Sequence, residues 1–256
     1  MQDLKIVLVQ ANQIWENKKM NLENYTLLLK DVLKADVIVL PEMFHTGFSM
    51  NVTEFAETMD DSIGLNWLKV TALEKNAAMY TSLIILEDGK YYNRGVFVEP
   101  NGKISTYDKR KSFGLAGEDK FFTAGETKTI VEFRNWKIQL QICYDLRFPE
   151  IARNSLNENG SPIYDVLMYV ANWPEKRSVH WKSLLVARAI ENQAYVIGLN
   201  RVGEDDKGLI YSGDSLLAEP LGEVDYLLAN LEEVKCFTIS KFQLDKIRLE
   251  LPFLKD

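Results

Sequence analysis

Histidine and cysteine are scarce in this chain, and their scarcity excludes several kinds of site. The sequence has only two histidines, His45 and His180, and two cysteines, Cys143 and Cys236. None of them lies in a spaced cluster of ligating residues, so we expect neither a metal site nor a cofactor. A histidine-dependent triad would have to use one of the two histidines. We interpret His45 as a polar residue of a pocket wall and His180 as structural.

Long apolar runs and an excess of positive charge are also missing. No stretch reaches the roughly 18 apolar residues of a membrane span, and the first residues lack a signal-peptide pattern. Two cysteines cannot form a disulfide framework, which is typical of a reducing compartment. We therefore expect a cytoplasmic protein with no membrane partner. The net charge of −7 disfavours nucleic acid as a partner, and a small-molecule substrate is expected instead.

Strand-like and helix-like segments alternate along the 256 residues, of which 46% are hydrophobic. Predicted strands cover residues 4–10, 36–40, 78–86, 92–98, 103–106, 129–133, 137–143, 165–170, 195–200, 210–218 and 233–240. Predicted helices cover residues 17–33, 64–76, 149–157 and 178–193, and residues 242–256 form a charged tail. The alternation predicts an α/β protein with helix-covered sheets. No linker divides the chain, so residues 1–256 are expected to form a single domain.

Cys143 ends an alternating apolar strand, shortly before a helix predicted to start at Pro149. A thiol at the positive end of a helix has a lowered pKa, which favours the reactive thiolate. However, a lone cysteine on an apolar strand is more often a buried structural residue. Position alone therefore does not make Cys143 a nucleophile. Cys236 lies in an alternating strand pattern and is interpreted as a core residue.

Two other segments carry groups that a thiol nucleophile needs. Glu42 follows the apolar strand at residues 36–40, so it lies at the carboxyl end of a strand, as Cys143 does. Ligands of open α/β sheets bind outside those ends, which favours convergence of the two side chains. The basic cluster Tyr107-Asp108-Lys109-Arg110-Lys111 follows another predicted strand. Taken singly, a loop glutamate or a charge run is more often a solvated surface feature.

Taken together, these segments resemble the three motifs of the nitrilase superfamily of carbon–nitrogen hydrolases. The resembling runs are Leu40-Pro41-Glu42-Met43-Phe44, Tyr107-Asp108-Lys109-Arg110, Ile142-Cys143-Tyr144-Asp145-Leu146-Arg147-Phe148-Pro149-Glu150 and, further on, Ala171-Asn172-Trp173-Pro174. The resemblance implies a four-layer αββα sandwich, a homodimer formed by stacked sandwiches, and Glu42, Lys109 and Cys143 as catalytic residues. One departure concerns the pocket wall, because many relatives have His-Leu-Phe where this chain has Lys111-Ser112-Phe113.

The three side chains supply what amide hydrolysis requires, namely a nucleophile, a proton shuttle and a fixed positive charge. In this mechanism Glu42 takes the proton of Cys143, and the thiolate attacks the amide carbonyl. Lys109 and the backbone N–H of Tyr144 stabilise the oxyanion, and a thioester is then hydrolysed. Glu118 resembles a second glutamate that the family places beside the lysine. An exposed loop acid is an equally good interpretation of Glu118 from the sequence alone.

Within the superfamily the chain resembles the ω-amidase branch most, which removes ammonia from 2-oxo dicarboxylate monoamides such as 2-oxoglutaramate. An anionic substrate needs a cationic partner, and Arg147 and Arg177 are the candidates, although Arg147 could instead pair with Glu150. Candidate apolar walls are Phe44, Phe113 and Trp173. Four alternative functions are also consistent with the sequence: a nitrilase, an N-carbamoyl amino-acid hydrolase, a deaminated-glutathione amidase and a non-catalytic binding subunit. The presence of all three catalytic residues argues against the last of these.

Overall fold

A computed structural model describes residues 3–256, and this part of the chain forms fourteen strands and six α-helices. The strands are β1 (Leu4–Gln10), β2 (Val37–Val39), β3 (Ala78–Glu87), β4 (Lys90–Val98), β5 (Ile104–Asp108), β6 (Ile130–Phe133), β7 (Trp136–Ile142), β8 (Val166–Ala171), β9 (Tyr195–Asn200), β10 (Val202–Glu204), β11 (Ile210–Ser212), β12 (Leu216–Ala218), β13 (Val224–Tyr226) and β14 (Glu233–Ile239). The α-helices are α1 (Lys18–Leu28), α2 (Val52–Phe55), α3 (Ile63–Lys75), α4 (Pro149–Ala152), α5 (Ser178–Asn192) and α6 (Lys241–Glu250). No helix in this range is long and apolar enough to cross a membrane.

Twelve strands form two six-stranded sheets, and β10 and β11 form a separate hairpin. The strand orders are β14-β1-β2-β3-β4-β5 and β13-β12-β9-β8-β7-β6. Each sheet has three parallel strands at its centre, β1-β2-β3 in the first and β7-β8-β9 in the second. The central strands β2 and β8 are buried along their whole length, as their nearly continuous apolar sequences require. The carboxyl ends of these parallel strands are therefore the edges at which a site is expected.

The two sheets pack face to face and are covered by helices. One buried cluster contains side chains of both sheets, among them Tyr80 and Phe97 of the first and Leu140 and Met168 of the second. A second cluster joins the outer face of the first sheet to residues of α1 and α3. Helix α5 packs on β9, where a β-carbon at Gly198 would overlap the side chain of Leu185. The predicted four-layer αββα sandwich is confirmed.

Three predicted elements differ from the observed ones by more than two residues, each for an identifiable reason. The helix predicted to reach residue 33 ends at Leu28, because Lys75 donates hydrogen bonds to the carbonyl groups of the next turn. The helix predicted at 149–157 stops at Ala152, since the buried Asn154 side chain bonds backbone groups instead. The strand predicted at 210–218 is two strands, separated by positive φ angles at Gly213 and Asp214.

The carboxyl-terminal segment contains a helix that the prediction of a charged tail at 242–256 did not include. Helix α6 buries Leu244 and Ile247, while five of its ten residues are exposed. Arg248 of this helix bonds Asp165 at 2.7 Å and the carbonyl oxygens of Tyr164 and Gln193. These contacts fasten the segment to the start of β8 and the end of α5.

Candidate active site

Glu42 lies where the two sheets meet. It follows β2 of the first sheet, and its Oε2 accepts a hydrogen bond of 2.9 Å from the backbone N–H of Asn172, which follows β8 of the second. The Asn172 amide also donates to the Glu42 carbonyl at 2.6 Å. Glu42 therefore lies at the carboxyl end of its strand, as predicted, at the junction between the two sheets. Its side chain is fully buried there.

The backbone turns sharply after Glu42. Met43 has a φ of +46°, in the left-handed region that non-glycine residues rarely adopt. Its N–H bonds the Ser82 hydroxyl at 2.9 Å, and the Gln13 amide donates to the Glu42 carbonyl at 2.9 Å. Such a conformation persists only where its surroundings fix it, so the turn holds Glu42 in one position.

Lys109, which follows the edge strand β5, lies between two buried carboxylates. Its Nζ is 2.9 Å from Glu42 Oε1 and 2.9 Å from both carboxylate oxygens of Glu118. The Asn93 amide bridges the same acids, at 2.8 Å from Glu42 Oε1 and 3.2 Å from Glu118 Oε1. Burial alone would lower the pKa of Lys109, but Glu118 and Glu42 outweigh it and raise that pKa above its usual range. The lysine is therefore a fixed cation.

Glu118 is fully buried, so the interpretation of this residue as an exposed loop acid is wrong. Besides Lys109 and Asn93, its Oε2 accepts the backbone N–H of Phe113 at 2.6 Å. The neighbouring Asp119 is exposed, and that difference was not visible in the sequence. Glu118 thus accepts four close contacts with its two oxygens, the full capacity of a carboxylate.

Cys143 follows β7 and begins a 3₁₀-helix, Cys143–Arg147. Its own φ is +44°, so the chain turns sharply at the thiol, and Sγ lies 3.9 Å from the Asn172 carbonyl oxygen. Burial raises the pKa of the thiol well above its usual range, and Glu42 acts in the same direction against Lys109. The prediction of a thiol pKa lowered by a helix end is therefore wrong. The raised pKa favours the protonated thiol over the thiolate.

A pocket of about 350 Å³ opens beside Cys143 and Asn172. Its aromatic lining consists of Trp15, Phe48, Phe113, Tyr144, Trp173 and Tyr211. Its charged lining consists of Arg147, Arg177, Asp205 and Lys207. The last two belong to the turn between β10 and β11. The sequence predicted Phe113, Tyr144, Arg147, Trp173 and Arg177 near the site, and all five line this pocket.

The guanidinium groups of the two pocket arginines lie over aromatic rings and form no ion pair with any described carboxylate. The Arg147 guanidinium lies 4.7 Å from the Trp173 ring centre and 3.1 Å from His180 Nδ1. The Arg177 guanidinium lies 5.2 Å from the Phe113 ring centre. The expected pairing of Arg147 with Glu150 is absent in residues 3–256, because Lys111 takes that partner at 3.8 Å. Both guanidinium groups are available to a substrate anion.

Three other predicted placements are wrong. Phe44 does not line the pocket beside Cys143, because its ring is buried in the core and stacks on His45 at 4.9 Å. His45 is not a pocket wall either, since its Nε2 is 3.3 Å from the Glu57 carboxylate and the ring is fully buried. Cys236 is exposed on the edge strand β14 instead of filling the core.

Sequence reasoning missed several residues that complete the site. Asn93 is in the middle of β4 and carries no sequence signal, whereas Asn172 lies in a run that resembles the superfamily. The hairpin residues Asp205, Lys207 and Tyr211 had no motif either. No group of three histidine, cysteine or acidic residues in the described part of the chain is arranged to hold a metal ion.

Comparison with known proteins agrees with this geometry. The sequence model of the Carbon-nitrogen hydrolase family matches residues 5–245. Omega-amidase YafV of Escherichia coli K12 is 45% identical over 88% of this chain and 84% of its own length. The 2-oxoglutaramate amidase of Bacillus subtilis is 35% identical over 76% of this chain and 74% of its own.

A solved structure provides the corresponding match in three dimensions. It is that of XC1258 from Xanthomonas campestris, described as a CN-hydrolase superfamily protein with an arsenic adduct in the active site. Its TM-score to this chain is 0.97 at 37% identity, over 100% of this chain and 97% of that one. The resemblance drawn from the sequence motifs is confirmed, and the chain belongs to the carbon-nitrogen hydrolase family.

Proposed function

We propose that this enzyme is an ω-amidase, which releases ammonia from the terminal amide of a small 2-oxo dicarboxylate monoamide. The chemistry would be carried by Glu42, Lys109 and Cys143, with Glu118 and the backbone N–H of Tyr144 assisting. The relatives named omega-amidase and 2-oxoglutaramate amidase support the substrate class. The observation that carries the proposal is a buried thiol, carboxylate and lysine beside a pocket with two unpaired arginines.

Hydrogen-bond capacity supports Glu42, and not Glu118, as the proton shuttle. The two oxygens of a carboxylate have about four acceptor positions. Glu118 uses all four on Lys109, Asn93 and the Phe113 backbone. Glu42 uses two on Oε1 and one on Oε2, so one position on Oε2 is free to take the thiol proton. Glu118 then has the task of holding Lys109.

The reaction begins with proton transfer from the Cys143 thiol to Glu42 as sulfur attacks the amide carbonyl. This coupling is needed because burial raises the pKa of the free thiol. The oxyanion is stabilised by the Lys109 ammonium and the Tyr144 N–H, which is near the start of a 3₁₀-helix where N–H groups lack intrahelical acceptors. Glu42 gives the thiol proton to the amide nitrogen, which leaves as ammonia when the C–N bond breaks. It then takes a proton from the water that attacks the thioester, and it returns that proton to the Cys143 sulfur as the acid product leaves.

The charge of the pocket favours an anionic substrate. The pocket lining contains one carboxylate, Asp205, and three cationic side chains, those of Arg147, Arg177 and Lys207. The Asp205 oxygens already accept the N–H groups of Lys207 and Leu209 and the Tyr211 hydroxyl, so its charge is held within the hairpin. The two guanidinium groups lie over the Trp173 and Phe113 rings, and a guanidinium can bind a carboxylate through two parallel hydrogen bonds.

We expect kcat/KM for 2-oxoglutaramate or 2-oxosuccinamate to exceed that for a neutral amide of equal length by about ten- to a hundredfold or more. A charged hydrogen bond to the remote carboxylate contributes roughly 1.5–3 kcal/mol to positioning the amide. Ammonia release from a panel of 2-oxo monoamides, their capped neutral analogues, carbamoyl compounds and nitriles measures this ratio. Comparable values for anionic and neutral amides would contradict the ω-amidase assignment and leave the catalytic triad untouched.

Substitution of each pocket arginine tests which of the two binds the substrate carboxylate. Arg147→Met or Arg177→Met should narrow the ratio if that residue binds the carboxylate, while the rate with the neutral amide stays nearly constant. Arg153→Met is a suitable control, because Arg153 bonds the Glu191 carbonyl at 2.9 Å and does not line the pocket. A ratio unchanged in both pocket variants would assign carboxylate recognition to other groups.

We also propose that the enzyme is a single-domain cytoplasmic homodimer. The proposal of a second copy is supported by exposed apolar side chains on α5 and α6, namely Val179, Ile190, Phe242 and Leu249. Sedimentation equilibrium should give twice the 29.4 kDa chain mass, and a charged residue at Leu249 should shift the equilibrium towards monomer. The unpaired thiols Cys143 and Cys236 support the reducing location, which cell fractionation would test.

A further inference from the structure

Asp145 is a fully buried carboxylate two residues after the nucleophile. Its Oδ1 accepts the backbone N–H of Lys111 at 2.9 Å. Its Oδ2 accepts the Tyr107 hydroxyl at 2.8 Å and the backbone N–H of Ile142 at 3.1 Å. No arginine, lysine or histidine within residues 3–256 forms an ion pair with it. The only close partners are therefore neutral donors.

The positions of these donors relate Asp145 to the catalytic residues. Tyr107 precedes Lys109 by two residues and Lys111 follows it by two, so the carboxylate contacts the chain on both sides of the catalytic lysine. Ile142 directly precedes Cys143. One side chain thus joins the segment that carries the lysine to the turn that carries the thiol. These segments belong to different sheets, β5 and β7.

Burial of the charged Asp145 side chain between these segments is energetically unfavourable. Burial raises the pKa of Asp145 to about 7, against the influence of Lys109 and the three hydrogen bonds. A buried carboxylate without an ion-pair partner costs stability that an apolar residue of similar size would not. Stability alone therefore does not account for this side chain.

We propose that Asp145 is a positioning residue of the hydrolase, which fixes the distance between the Lys109 ammonium and the Cys143 thiol. Only a carboxylate can accept all three donors in this geometry. In an asparagine the amide nitrogen would face the backbone N–H of either Lys111 or Ile142, so one of these two hydrogen bonds would be lost. Misplacement of catalytic groups by about 1 Å can cost a hundredfold in rate.

We expect Asp145→Asn to lower kcat by about 10- to 100-fold, with KM for the monoamide changed by less than about threefold. The proposal rests on the amidase function and uses the same ammonia assay. Alkylation of Cys143 by iodoacetamide provides a second readout that does not depend on turnover. We expect the alkylation rate of Cys143 in Asp145→Asn to differ from the rate in the wild-type enzyme. Tyr107→Phe, which removes one of the three donors, should show a smaller loss of kcat and serves if the asparagine variant does not fold.

Asp108→Asn is the matched control. Asp108 is the chain neighbour of Tyr107, yet its carboxylate bonds Arg94 at 2.7 and 2.9 Å and does not contact Asp145. This variant should lower the melting temperature while kcat stays within about threefold of wild type. A normal kcat in both Asp145→Asn and Tyr107→Phe, with only the melting temperature lowered, would overturn the positioning role. Failure of the wild-type enzyme to hydrolyse any amide would instead overturn the proposed function.

Discussion

Cys143→Ala is expected to abolish ammonia release from every amide, because it removes the covalent nucleophile and leaves the rest of the site in place. The fold should survive. The strained φ of +44° is unchanged, since alanine keeps the β-carbon, and a single small buried atom is lost at a site that opens into the pocket. Turnover with purified protein and circular dichroism test the two halves of this expectation.

Cys236→Ala controls for general thiol effects and should keep full activity, because Cys236 is exposed on an edge strand. Mass spectrometry under substrate offers a direct check, since the wild-type enzyme should gain the mass of an acyl group on Cys143 during turnover. Substantial ammonia release by the Cys143 variant would show that hydrolysis needs no thioester.

Strand direction predicted from the sequence that Glu42 and Cys143 each lie at the carboxyl end of an apolar strand. These strands, β2 and β7, belong to different sheets, so the convergence of the two side chains also depends on how the sheets pack on each other. Lys109 could not be placed in this way, since it follows an edge strand that runs antiparallel to its neighbour. Its position was predicted only through the resemblance of its motif to the superfamily.

Burial explains most of the differences between the predictions from the sequence and the structure. The helix-end argument for Cys143 considered a dipole, but desolvation in a closed site opposes the thiolate more strongly. Phe44 and His45 follow Glu42 by two and three residues, yet the turn at Met43 directs them into the core. Glu118 and Asp119 are adjacent acids with opposite exposure. Such differences depend on tertiary packing, which local sequence patterns do not contain.

Element bounds show the same division. Strands β1 and β9 have the predicted limits, because their apolar runs are bounded by polar residues on both sides. Helix α1 ends early because Lys75, far away in sequence, binds the carbonyl groups of its next turn. The end of a helix or strand can be predicted where the sequence itself changes character. It cannot be predicted from the local sequence where a distant side chain takes the hydrogen bonds that would continue the element.

Glu42→Gln and Lys109→Met should each lower kcat by at least about a hundredfold. Glutamine at position 42 preserves the shape of the side chain but cannot accept the thiol proton, so Cys143 stays in its unreactive form. Methionine at position 109 removes the cation that faces the developing oxyanion. It also leaves two buried carboxylates without their shared partner, which typically costs about 3–5 kcal/mol of stability, so the melting temperature should fall.

Lys111→Met is the control that distinguishes a placed lysine from the basic cluster as a whole. Lys111 is partly exposed and pairs with Glu150 at 3.8 Å, a surface contact worth at most about 1 kcal/mol. Its backbone N–H, which bonds Asp145, is kept in the variant. Its kcat should therefore stay within a few-fold of wild type. Equal losses at positions 109 and 111 would mean that the cluster acts through its total charge, and that the ammonium held between Glu42 and Glu118 is not the oxyanion partner.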